Sequence, residues 1–405
     1  MFVAKTVIIL GAGASWHYGY PTGEELVRQV ILKAKQAVNY FSTYLGNSSA
    51  PLDNLPRIVS DDNPNIPESG NTGPQKQWMN ACNKFSDLID RLEPTDPLVI
   101  DYFIDQNRHL EDVAKLCIAW VIMEREFISI RYRGNENRRE MDHERGNSPL
   151  RINDNWYRFL VHKLTSGCPD GEALLKNNVT FVTFNYDVSL ELGLFSGIGN
   201  LARFTQQIES FITENDRVIH VYGRLRKDPP WQLTSINWEA FGRVSLAGGA
   251  VVPPGPPKFW ADVKAVLDHA YEASQGLQII APEKALADSG SIPDHIRKAR
   301  KAIAEAQCVY ILGYGFDELN SKLLELPRHL DLRRNSKTIM FTNFGNSGVV
   351  NKNAARLFAL QPNELLMEGG RLIPQGNSLC EKSVKDVYGA LALDFDAPEE
   401  RPRAG

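Results

Sequence analysis

The sequence predicts an α/β protein built on a doubly wound, mostly parallel sheet that carries a mostly helical insertion. Three observations predict it. Short apolar, β-branched runs recur at Thr6–Leu10, Val179–Phe184, Arg217–Tyr222, Leu277–Ile280, Val309–Leu312 and Lys337–Thr342. Stretches with helical apolar spacing lie between them. Several runs end in a glycine or a short polar residue, as strand-to-helix turns of parallel sheets do. Such a sheet is Rossmann-like.

The elements follow in order. Thr6–Leu10 leads into the turn Gly11-Ala12-Gly13-Ala14-Ser15, and then Pro21 and Thr22 precede Leu26, Val30, Ala34 and Ala37 at helical spacing. Thr22 and Glu25 have the spacing of a capping box. Residues 45–76 are rich in Asn, Pro, Ser and Gly and read as a long loop. Helical periodicity returns at Trp78–Leu92, from Leu110 to about Ile130, and at Trp156–Leu164. The charged stretch Arg131–Asn147 reads as a solvated surface. Residues 45–170 thus form the expected insertion. Residues 226–260, with Pro229-Pro230 and Pro253 to Pro257, read as irregular. Ile292, Ile296, Ala299 and Ile303 lie on one helix face. The whole reads as one interrupted domain over residues 1–360, with 361–405 as a C-terminal tail or assembly segment.

Composition narrows the function classes. With 43% hydrophobic and 23% charged residues, the 405-residue chain is ordinary globular protein, not a disordered, collagenous or coiled-coil one. Its 45 basic and 49 acidic residues leave a net charge of −4. That gives no electrostatic reason for the chain itself to bind nucleic acid or an anionic membrane. The five cysteines (Cys82, Cys117, Cys168, Cys308 and Cys380) form no CxxC pair, which argues against a disulfide framework or a zinc ribbon and fits a cytoplasmic protein. The longest apolar run, Leu116–Met123, is far short of the roughly 18 residues needed to cross a bilayer. The apolar stretch Val7–Leu10 is too short for the core of a signal peptide.

Five strand-end motifs could carry chemistry. The Gly11–Ser15 turn could bring backbone close to a pyrophosphate, or it could be a turn only. It departs from GxGxxG, because Trp16 holds the sixth position, and no acidic residue closes a second strand at the expected distance; both facts count against a hydride-transferring dinucleotide enzyme. Thr183-Phe184-Asn185-Tyr186-Asp187 sits where open α/β sheets bind ligands, beyond the carboxyl ends of strands. Asn185 and Asp187 could reach ligand hydroxyls, or serve as a turn residue and a helix cap. His220, on the same strand face as Tyr222 and shortly before Gly223, is either a general base or a buried core histidine. Gly313-Tyr314-Gly315-Phe316, followed by Asp317, is a second glycine turn, and Asn343 closes the last strand. No histidine pairing suggests a metal site.

Taken in order, these motifs resemble the sirtuin-like family of NAD-consuming proteins. Gly11, Ala12, Gly13, Ser15, Gly19 and Pro21 match its first turn. Thr183, Asn185 and Asp187 match its T-x-N-x-D strand end. His220 with Gly223, Gly313–Phe316 and Asn343 follow in the family's order. The bacterial antiviral-defence branch, with its TFNYD, GYSF…D and IDxFL segments, is the most similar, and Ile100-Asp101-Tyr102-Phe103-Ile104 resembles the last of these. The chain departs from the classical deacylases in having no cysteine over residues 224–300, where they bind structural zinc. Tyr222 stands where the family has its histidine, so the histidine's role passes to His220 by same-face geometry.

The resemblance implies an NAD glycohydrolase with NAD as substrate and no metal. Asn185 would orient the ribose or the attacking water, His220 would accept a proton, and Asp187 would hold the pocket. Gly11, Ala12, Gly13 and Ser15 would cradle the pyrophosphate, with Pro21 and Thr183 beside them. Gly313, Tyr314, Gly315, Phe316 and Asn343 would line the adenosine end, and Asp101 would approach the nicotinamide side. It further implies gating through a homo-oligomer and a partner: a HerA-like hexameric ATPase ahead of a short Argonaute or a phage protein. A zinc-free protein deacylase and a non-catalytic NAD or ADP-ribose sensor are the alternatives.

Overall fold

The computed structural model describes residues 1–46, 56–60, 73–97, 99–131, 156–225, 237–246, 257–279, 292–342, 347–360 and 372–375. The chain divides into two compact units: Met1–Gly19, Asn147–Tyr222 and Pro282–Gly405 in one, Tyr20–Gly146 and Gly223–Ala281 in the other.

The first unit is built on a sheet of six strands: β1 (Thr6–Leu10), β2 (Val179–Thr183), β3 (Val218–His220), β4 (Cys308–Leu312), β5 (Thr338–Thr342) and β6 (Leu372–Gln375). Their order is β3-β2-β1-β4-β5-β6, and every pairing is parallel. All five residues of β1 are buried. This is why its sequence is a continuous Val/Ile run and not an alternating one: a parallel strand covered on both faces has no solvent side. The sheet grows outward from β1 in both directions, so the order reverses between β1 and β4. Leu10 faces Thr183 on one side and Leu312 on the other, which sets the three turns after β1, β2 and β4 at one edge of the sheet. Pro374 lies in β6, at the end of the strand order, where its missing N–H breaks no inner ladder.

Two cations close the opposite, amino-terminal side. Lys337 places its ammonium on the carbonyls of Ile303, Ala304 and Ala306, at 2.9, 2.7 and 2.6 Å, capping the Asp294–Glu305 helix. Arg217 gives hydrogen bonds to the carbonyls of Asn177, Val179 and Leu175 and lies over the Phe211 ring. Burial lowers its guanidinium to about 10.

The second unit is helical: Gly23–Gly46, Gly73–Thr95, Ile100–Gln106, Glu111–Arg131, Trp238–Leu246 and Pro257–Ser274. The Glu25 carboxylate accepts from the Thr22 N–H at 2.8 Å, the reciprocal half of the expected capping box. Phe41, Phe85 and Trp120 are fully buried in its core. Lys33 pairs with Glu124 at 3.0 Å and lies over the Trp120 ring. The run Leu116–Met123 is buried within the Glu111–Arg131 helix. Among the described residues no helix is long and apolar enough to cross a membrane.

Several boundaries differ from expectation. The helical unit starts at Tyr20 instead of residue 45, because the Gly23–Gly46 helix packs its apolar side against Gly73–Thr95 and Glu111–Arg131. The Tyr157–Thr165 helix belongs instead with the sheet, packed on Ser189–Gly199. Residues 226–260 contain the Trp238–Leu246 helix and the start of Pro257–Ser274. Proline at a first helical position is compatible with a helix, so the Pro-rich run hid one. Leu277 makes only an isolated antiparallel bridge to Gly223 and no strand. Leu372–Gln375, within the expected tail, is a strand of the sheet.

Candidate functional site at the carboxyl ends of the strands

The turns after β1 and β4 meet backbone to backbone. Gly11 N–H donates to the Leu312 carbonyl at 2.9 Å, and Gly13 N–H to the Gly313 carbonyl at 3.0 Å. A Cβ on Gly11 would lie 2.5 Å from the Gly313 oxygen. Gly313 itself has φ +60°, and a Cβ there would run into Ala14 N. These glycines are demanded by the close approach of the two turns. After Gly11 the chain makes two single 3₁₀ turns, Ala12–Ala14 and Trp16–Tyr18, and Gly19 is left-handed at φ +82°. The expected long helix begins only at Gly23, in the other unit, together with Pro21. The Gly11–Ser15 turn therefore does not open directly into a long helix.

A polar cluster fills the space behind this turn. Ser15 is buried, and its hydroxyl lies 3.2 Å from the Ala12 carbonyl and bonds the Asp187 carboxyl. Its single proton is taken on that side, so toward Asn185 the hydroxyl can only accept, and it does so from Asn185 Nδ2 at 3.3 Å. Asn185 N–H donates to Thr183 Oγ1 at 3.0 Å. The Asn185 amide oxygen is then buried with no hydrogen-bond partner. Burial pushes the Asp187 carboxyl above the usual carboxylate range. Hydrogen bonds from Ser189 and Ser15 pull it back, and the neighbouring Glu191 charge raises it further. Ser189 N–H reaches Asp187 Oδ1 at 3.0 Å, so Asp187 is a helix-start acceptor as well as a site residue.

His220 ends β3 with both ring nitrogens engaged. Nδ1 is 3.0 Å from the Asn185 carbonyl, and Nε2 is 2.9 Å from Glu191 Oε1. A carbonyl only accepts, so Nδ1 carries a proton, and Nε2 shares another with the carboxyl group. In this geometry neither nitrogen offers a lone pair to a ligand. Strand β3 ends at His220, so the expected shared face with Tyr222 stops there. The Tyr222 hydroxyl instead donates to Asn320 Oδ1, and Asp317 Oδ1 accepts from the Asn320 N–H at 2.8 Å.

The Gly313–Phe316 turn splits in two. The Tyr314 ring stacks on Phe184 at 4.9 Å, and Phe316 packs edge-on against Phe341 and Phe358. Both rings are buried. Phe316 holds φ +55°, which costs a bulky residue on the order of 1–3 kcal/mol. A Cβ on Gly315 would meet nothing within 4 Å, so the open side of this turn is at Gly315. Asn343 lies outside the described residues. Asp101 is buried in the helical unit, on the Ile100–Gln106 helix.

Sequence reasoning missed the supporting groups. Glu191 lies in the first turn of the Ser189–Gly199 helix and Asp187 before it, so no helical spacing marks the two as neighbours. Trp156 Nε1 donates to the Ala14 carbonyl at 2.9 Å. The Tyr157 ring stacks flat on Tyr18 at 4.4 Å, and its hydroxyl bonds Ser189 Oγ at 2.8 Å. The sequence offers only two adjacent aromatic residues there, with no polar signal.

Among the described residues no group of three or more His, Cys, Asp or Glu is placed to hold a metal ion. No family model, curated protein or solved structure matches the chain. The molecule is defined at the level of its fold: an α/β protein with a parallel, Rossmann-like sheet.

Proposed function

We propose that the chain is a sirtuin-like NAD glycohydrolase that splits NAD into nicotinamide and ADP-ribose. The observation that carries this is the buried, unpartnered amide oxygen of Asn185, beyond the carboxyl end of β2 and joined through Ser15 to the turn after β1, one of the two strands between which the order reverses. A buried acceptor left unpaired is costly by about 1–3 kcal/mol, and a ligand hydroxyl or water would satisfy it. Parallel sheets bind nucleotides at such reversal points.

In the reaction the C1′–N bond breaks and its electron pair leaves with nicotinamide, which becomes neutral. The ribose gains oxocarbenium character, water adds at C1′, and the water's proton passes to solvent. No acid is needed for a leaving group that is already cationic. Asn185 Oδ1 would accept from that water or a ribose hydroxyl. Asp187 and Ser15 would hold Asn185 in place. Gly315 would lie along the open side of the second turn.

An unchecked enzyme of this kind would empty its own cell of NAD. We therefore place it as a gated effector of antiviral defence, cytoplasmic and homo-oligomeric, with a HerA-like ATPase as the favoured partner. A short Argonaute or a phage protein is the less favoured trigger.

The test is nicotinamide release from NAD by purified protein, with and without the product of its neighbouring gene. Asn185→Ala is expected to lower release at least about 100-fold with the fold intact, as for loss of a group acting in the transition state. A second reading, a binding-only NAD or ADP-ribose sensor, is favoured by the engagement of both His220 nitrogens. NAD binding without release in every condition would establish that reading instead.

A further inference from the structure

We propose that Glu191 is a positioning residue that fixes the Asn185 amide through His220. The proposal rests on the NAD-cleaving reading of the site, but part of its test does not.

Glu191 lies in the first turn of the Ser189–Gly199 helix and is 1% exposed. Burying a carboxyl group and an imidazole together costs several kcal/mol in desolvation, and replacing such pairs with apolar residues is often neutral or stabilising. Stability alone therefore does not account for the pair. Its geometry does. Glu191 Oε1 holds His220 Nε2 at 2.9 Å, which turns the ring so that Nδ1 meets the Asn185 carbonyl at 3.0 Å. Asn185 is then tied at three points: its carbonyl by His220, its N–H by Thr183 at 3.0 Å, and its Nδ2 by Ser15 at 3.3 Å. Only Oδ1 has no partner. A residue clamped in this way has its one remaining acceptor in a fixed direction before any ligand arrives, which is how preorganised sites gain rate.

A positioning role makes a graded demand on position 191. Glutamine can donate its amide N–H to Nε2 of a neutral ring whose Nδ1–H stays on the Asn185 carbonyl. Alanine cannot. Glu191→Ala is expected to lower kcat about 10- to 100-fold, the usual cost of losing an orienting partner, with KM within about threefold. Glu191→Gln is expected to keep kcat within about fivefold of the parent, since it restores the orienting contact. Equal losses in the two variants would overturn the proposal in favour of a charge or proton role, as would an Ala variant with unchanged kcat or an effect on KM alone.

Histidine ¹⁵N NMR of the full chain supplies a second readout that needs no turnover. The parent and Glu191→Gln should show His220 with a proton on Nδ1, protected from exchange. That protection should disappear in Glu191→Ala. If the Ala variant does not fold, the parent and Gln spectra still decide: a bare Nδ1 in the parent overturns the proposal. A protein that never cleaves NAD but gives the expected spectra would defeat the catalytic reading and leave the clamp standing.

Discussion

Asp187 is a carboxyl group held where water does not reach it, and that has a consequence for stability. Burial raises its folded pKa, whereas in the unfolded chain it titrates near the ordinary value of about 3.9. Between those two values the native state keeps a proton that the unfolded chain has lost. Stability contributed by this group is therefore highest at acid pH and falls as pH rises through that window. Asp187→Asn removes the titration. Its melting temperature should gain on the parent's as pH is raised from 4 to 8, while nicotinamide release falls. Thermal unfolding at several pH values checks it, and parallel curves for the two proteins would exclude the burial argument. Asn185, Asp187 and His220 were legible in the sequence because each ends an apolar run in a polar residue. Glu191 was not, since a glutamate near a helix start ordinarily reads as a dipole partner. Only the fold shows that the helix start faces inward against β3.

At the scale of elements, the two glycine turns separate backbone demand from ligand space. Gly313→Ala puts a Cβ into Ala14 N at φ +60° and should destabilise the protein by more than about 2 kcal/mol. Gly315→Ala meets open space and should stay within about 0.5 kcal/mol of the parent. Chemical denaturation measures both. If Gly315→Ala weakens NAD binding at unchanged stability, the effect is on the ligand and not on the turn. The strands β1, β2, β4 and β5 were legible because buried parallel strands are written as β-branched runs. The segment Leu277–Ile280 has the same composition, yet its described residues, 277–279, make one bridge and no strand. Composition shows that a segment could pair, and only the fold decides whether an edge is there to receive it. The same limit hid the β6 strand, four residues long with a proline inside it.

For the whole molecule, the chain's path sets the order of assembly. The central strand β1 pairs with segments near residues 180 and 310, so closing the sheet requires two very long loops to be ordered first. Such loop closure is entropically costly and slow, whereas helices form from contacts within one segment. Gly23–Gly46, Gly73–Thr95 and Glu111–Arg131 follow one another in sequence and pack on one another. Most helical signal should thus return early on refolding from denaturant. The Asn185 site depends on β1, β2 and β3 being in register, so it should return late. We expect stopped-flow circular dichroism to recover most of its amplitude at least about tenfold faster than NAD binding recovers. Phe184 N–H and Val221 N–H depend on that register, through the Leu10 and Thr183 carbonyls. They should gain protection from hydrogen exchange together with NAD binding and not with the early helical phase. Recovery of NAD binding in step with the helical signal would mean that the sheet does not limit assembly.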